Sequence, residues 1–126
     1  QSEREHLEEL VNGGHIKTLT LEGKAITDTV ATLLGLGLGS GESFSFAAAI
    51  EFEGAVAIDD RRAVKRVQSV SPNLKILTTP DIVVAGIHSQ IISLEEADHL
   101  KADWAENHRF RLKFESFQTL ITGGKP

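Results

Sequence analysis

The stretch that most restricts the fold is Ala55-Val56-Ala57-Ile58, an unbroken apolar run closed by Asp59-Asp60. A strand exposed on one face alternates apolar with polar residues. A run apolar at every position is instead the pattern of a strand covered on both faces, as in a parallel sheet. Arg61 to Val70 follows, with Ala63, Val64 and Val67 as a helical stripe, and Leu74 to Thr78 reads as the next strand. Parallel neighbours need a crossover, and a helix between two strands supplies one. The expectation is therefore an α/β layered fold with a mostly parallel sheet.

The flanking segments extend this pattern. Glu3 to Val11 carries Leu7, Leu10 and Val11 at helical spacing and stops at Asn12-Gly13-Gly14. Ile16 to Leu21 alternates and is rich in Thr, Ile and Leu, which suits a short strand. Lys24 to Leu34 and Glu42 to Phe52 read as helices joined by a glycine ladder, Gly35, Gly37, Gly39 and Gly41. Thr79-Pro80-Asp81 supplies a helix start, with Thr79 as cap. Ser93 and Glu96 have capping-box spacing ahead of a stripe of Leu94, Ala97, Leu100 and Trp104. Phe110-Arg111-Leu112-Lys113-Phe114 alternates like a strand, and Phe114, Phe117, Leu120 and Ile121 continue at helical spacing into a Gly-Gly tail.

At 126 residues the chain is read as a single domain able to bury its own core. The absence of cysteine removes disulfide scaffolds, thiol nucleophiles and Cys-based metal sites. A net charge of -5 argues against a basic nucleic-acid wrapper, although local basic patches are compatible with it. Neither a membrane span nor a signal peptide is evident, and the expected location is the cytoplasm. The chain opens at Gln1 and holds no methionine, and no strand precedes Glu3; the expectation is that an N-terminal segment bearing the first strand is missing.

Among candidate chemistries, the glycine ladder fits neither G-x-G-x-x-G nor G-x-x-x-x-G-K-[ST] and follows a helix, so it reads as a flexible connection between two helices. His6, His15, His88, His99 and His108 show no paired ligand spacing, and Glu96-x-x-His99 is half of a di-iron motif without its second copy. No G-x-S-x-G elbow is present. The acids say more. Ligands of open α/β sheets sit beyond the carboxyl ends of the strands, where Asp59 and Asp60 fall. Glu42 opens the helix that leads into the same strand. Such oxygen ligands suit Mg²⁺ or Mn²⁺, and paired ions about 4 Å apart activate water against a phosphodiester. The plainer reading makes Asp60 a helix cap and Glu42 a partner of a helix dipole. Capping one helix does not require two aspartates, which favours a functional role for the doublet. Beyond it, Arg61, Arg62, Lys65 and Arg66 form a basic cluster suited to a phosphate backbone, or to a solvated helix face.

Leu36 to Thr79, with Gly-Glu opening a small-residue helix, then AVAIDDRRAVKRV, then LKILTT, resembles the C-terminal half of PIN-domain proteins. The resemblance is to a prokaryotic branch with a Gly-Glu-x-Glu-Ala helix and a strand ending in Asp-Asp-Arg, and it extends to HIKTLTL and FRLKFESFQTLI. It implies a three-layer α/β/α fold without its N-terminal strand, and a Mg²⁺- or Mn²⁺-dependent ribonuclease, in many relatives a toxin held by an antitoxin. Carried over, Glu42 and Asp60 stand as catalytic acids and Glu42, Asp59 and Asp60 as metal ligands, with Arg61, Arg62, Lys65 and Arg66 facing RNA. An antitoxin and a homodimer are the implied protein partners. The first-strand Asp and early Glu of the family have no counterpart, and Phe44 replaces the second helix acid, so impaired activity is expected. The alternatives are an inactive PIN-like module binding nucleic acid or a partner protein and, last, a phosphorelay receiver-like domain. The receiver needs a late Lys-Pro, and the only one here is Lys125-Pro126.

Overall fold

The computed structural model describes residues 2–123, so Lys125-Pro126 and the second glycine of the tail lie outside it. The chain divides into two compact units, Gln1–Phe52 and Glu53–Pro126. Seven helices and two strands are formed among the described residues, and none of the helices is long and apolar enough to cross a membrane.

The first unit is helical: α1 (Glu3–Asn12), α2 (Lys24–Gly35) and α3 (Ser40–Glu51). Ser2 caps α1 by accepting the Glu5 N–H at 3.1 Å. Helices α2 and α3 pack on each other. Ile26, Val30 and Leu33, one stripe of α2, are buried, as are Phe46, Ala47 and Ala49 of α3. Their connection is tighter than a flexible linker. Gly37 has φ 86°, a conformation open to glycine without strain, and Gly39 is already the cap of α3. Helix α3 therefore starts at Ser40, ahead of the expected Glu42.

The expected strand Ile16–Leu21 does not form; residues 17–22 are irregular and the apolar side chains along it are exposed or half-buried. Alternation supplies β propensity, but a strand exists only where a ladder partner does.

The second unit carries the parallel pair. Strand β1 (Ala55–Ala57), helix α4 (Arg61–Gln68) and strand β2 (Lys75–Leu77) form a β-α-β crossover, with Ala55 opposite Lys75, Val56 opposite Ile76 and Ala57 opposite Leu77. The α/β class and the parallel pairing agree with the sequence, but burial of β1 on both faces does not. Val56 is buried, whereas Ala55 and Ala57 are exposed, because side chains alternate across a two-stranded sheet and one face of this strand is open.

Helices α5 (Thr79–His88), α6 (Leu94–Asn107) and α7 (Phe117–Ile121) complete the unit. Val83, Ala97 and Phe117 form a buried core, with Ile87, Ile92, Trp104, Leu112 and Phe114 packed against it. Asp98 accepts the Phe117 N–H at 2.5 Å and so ties α7 to α6. The capping box of α6 forms as read, Ser93 with Glu96. That of α5 is shifted by one residue. Thr78, not Thr79, is the cap, because Thr78 and Asp81 close a reciprocal pair of hydrogen bonds.

The second expected strand, Phe110–Phe114, is also absent. Arg109 takes a left-handed φ of 53°, and the Phe110 N–H donates to the Trp104 carbonyl at 3.1 Å. That bond closes the end of α6 and removes a donor from any ladder.

Candidate functional site

The carboxyl edge of β1 and β2 holds the aspartate doublet, and each member has a separate structural partner. Asp60 is the N-cap of α4, its Oδ1 accepting the N–H groups of Arg62 at 3.0 Å and Ala63 at 3.2 Å. Asp59 reaches across to the next helix. Its Oδ1 accepts the Thr79 N–H at 2.8 Å and its Oδ2 the Thr79 hydroxyl at 2.6 Å. Two parallel strands deliver two helix starts to one edge, and each start needs an acceptor for its unpaired amides. Two helices therefore account for two aspartates, where α4 alone would account for one.

Asp81 completes the edge. The Thr78 backbone N–H, and then its hydroxyl, hold the Asp81 carboxyl below the usual aspartate value. In the first unit, Glu42 stands at the third position of α3 and its Oε1 accepts the Gly39 N–H at 3.2 Å, so it too serves a helix start. Phe44 is exposed. Among the described residues, no three or more His, Asp or Glu side chains are gathered so as to hold a metal ion. Glu42 belongs to the first unit and the doublet to the second. The carboxylates of the doublet already accept protein donors, a poor fit to a two-ion centre, which needs several oxygens aimed at one point.

The basic residues are placed differently. Arg61 and Lys65 form one stripe of α4, Arg62 and Arg66 the next, and all four are exposed, while Ala63 and Val67 face inward. Arg61 and Arg62 lie in the first turn, where the helix macrodipole disfavours cations by about 0.3–1 kcal/mol each. Capping chemistry alone would place acids there.

An open cleft of about 600 Å³ lies against the Arg61 and Lys65 stripe. It is lined by apolar Ile58, Val64, Ile76 and Leu112 and by the rings of Phe110 and Phe114. Arg111 and Lys113 bring two further cations, against Asp59 as the acid present in the lining. Among the described residues, none of Arg61, Lys65, Arg111 and Lys113 forms an ion pair. The segment 110–114 was thus informative in sequence for a reason other than strand formation: its alternation sets rings and Leu112 half-buried and the cations exposed. An alternation of rings with cations was the available signal.

A second groove, about 420 Å³, is lined by Ile92, Glu95, Glu96, His99 and Leu100. Glu96 there is a cap, its carboxyl pulled below the usual glutamate value first by the Ser93 N–H and then by the Ser93 hydroxyl. Comparison with known proteins finds no matching family model, no similar curated protein and no similar solved structure.

Proposed function

We propose that this chain is a PIN-like module that binds nucleic acid through the second unit, with helix α4 as its phosphate-contacting face. One observation carries the reading: Arg61, Arg62, Lys65 and Arg66 crowd the exposed side of a helix whose own dipole opposes the first two. Residues that break a local stability rule, as Arg61 and Arg62 do, mark functional positions. The resemblance of AVAIDDRRAVKRV to the PIN branch supports the same surface. Cleavage with Mg²⁺ or Mn²⁺ forms no part of this reading, since Glu42, Asp59 and Asp60 already accept helix-start donors.

The test is fluorescence anisotropy with a labelled single-stranded RNA over a salt series, using the full chain and a variant with Arg61, Arg62, Lys65 and Arg66 all changed to Gln. Wild type is expected to bind with a salt-dependent affinity. The variant should bind more weakly to every sequence, with the slope of log K against log salt reduced by about 0.7 for each phosphate that is no longer neutralised. Equal affinity and equal slope for the two proteins would overturn the proposal.

A further inference from the structure

Phosphate contacts alone do not require the cleft beside α4, and its composition is not that of a charge-only surface. Four cations that form no ion pair among the described residues stand on two separate segments, Arg61 and Lys65 on α4 and Arg111 and Lys113 on the 110–114 segment. The same cleft is lined by apolar Ile58, Val64, Ile76 and Leu112 and by two aromatic rings. Both rings are held in place. Phe110 meets Trp104 edge-on, with centroids 5.8 Å apart. Phe114 meets Phe117 edge-on at 5.0 Å, with the Lys101 ammonium 5.6 Å from its centroid. Rings fixed before binding lose little side-chain entropy when a ligand stacks on them.

We infer that this cleft is a subsite for an unpaired nucleobase together with its flanking phosphates. A base supplies the flat π-face that Phe110, or the face of Phe114 away from Lys101, can stack on, and the phosphates supply the negative charge that complements the four cations. The volume, about 600 Å³, falls within the roughly 300–1,000 Å³ of small-ligand sites. That admits one nucleotide unit. A duplex keeps its bases stacked inside and presents only phosphate to such a cleft, so the subsite selects single strands. The inference rests on the nucleic-acid reading above, but it places the base-contacting residues on a different segment from the α4 charges.

Two measurements on the full chain test it. First, anisotropy is read with labelled decaadenylate, with an abasic oligonucleotide of the same length and charge, and with a ten-base-pair RNA duplex. Wild type should bind decaadenylate about tenfold more tightly than the abasic strand and the duplex. Phe110→Leu with Phe114→Leu keeps apolar volume and removes the rings; it should lose that advantage while its affinity for the abasic strand stays within twofold. Second, Trp104 is the single tryptophan and touches Phe110. Titrating wild type with AMP should quench its fluorescence and, at saturation, displace decaadenylate, whereas ribose 5-phosphate should do neither. This second readout needs no variant and holds even if the double substitution fails to fold.

Equal binding of decaadenylate and abasic strand by wild type, with no AMP quenching, would overturn the subsite while leaving the α4 contact surface standing. Binding indifferent to removal of the α4 cations would instead overturn the underlying reading. Displacement of labelled decaadenylate by a polyglutamate peptide of equal charge as readily as by unlabelled decaadenylate would also overturn the subsite, in favour of an acidic protein partner.

Discussion

Asp59 offers a test in which two roles predict opposite signs. Its carboxylate accepts both the N–H and the hydroxyl of Thr79, 20 residues away, at 2.8 and 2.6 Å. Replacement by Ala leaves the first amide of α5 without this acceptor and severs a side-chain tie between the ends of β1 and β2. A lost helix-start acceptor costs about 0.5–2 kcal/mol, and a charged acceptor adds about 0.3–1 kcal/mol with the helix dipole. Asp59 is exposed, so solvent screening keeps the sum towards the lower part, about 1–2 kcal/mol. For a chain of this size that corresponds to about 3–8 °C in Tm. If Asp59 were instead held for a metal, removing one carboxylate from an adjacent acidic pair would relieve repulsion and raise the stability of the metal-free protein.

Urea and thermal unfolding of wild type, Asp59→Ala, Thr79→Val and the double variant, in EDTA at pH 7, decide between the roles. The capping role predicts that both single variants are destabilised and that the double variant is not additive, with a coupling of at least about 0.5 kcal/mol. Stability of Asp59→Ala equal to or above wild type, or full additivity, would refute the structural account of the doublet.

Other expectations follow from single contacts. Ser43 is fully buried and its hydroxyl has no hydrogen-bond partner among the described residues, so Ser43→Ala should stabilise the protein by about 1 kcal/mol; a lower Tm would contradict that. Asp60→Ala should cost about 1 kcal/mol, whereas Asp60→Asn, which keeps a capping oxygen, should cost little. RNA incubated with the wild-type chain in Mg²⁺ or Mn²⁺ should stay intact, and cleavage abolished by Asp60→Asn would show that the acids assemble a working centre after all. The Asp81 carboxyl is held below its ordinary value in the fold by Thr78. Its contribution is therefore full above the unfolded value of about 3.9, and it is lost as pH falls through the lowered folded value. The stability gap between wild type and Asp81→Asn should shrink across that acid window, and a gap unchanged down to about pH 2 would contradict the capping box.

Local chemistry was legible in the sequence. Ser93 with Glu96, Asp60 ahead of Arg61, and the β-α-β order from Ala55 to Leu77 all depend on contacts within a few residues or on a pattern confined to one segment. The caps of α4 and α6 are legible because donor and acceptor lie two or three positions apart in the chain, whereas two adjacent threonines at the start of α5 shift the cap by one residue, to Thr78. The tertiary structure decided everything that needs a distant partner. Ile16–Leu21 has the composition of a strand but no ladder beside it among the described residues, and Phe110–Phe114 gives its first amide to the end of α6. The partner of Asp59 is Thr79, beyond a helix and a strand, so the doublet is surplus to the capping of α4 alone and is accounted for only by two helix starts meeting at one edge. The cleft has the same origin. Arg61 and Lys65 stand 46 or more positions before Arg111 and Lys113, and only chain closure sets them in the lining of one cleft, because periodicity reports which face a residue occupies and not which other segment meets that face.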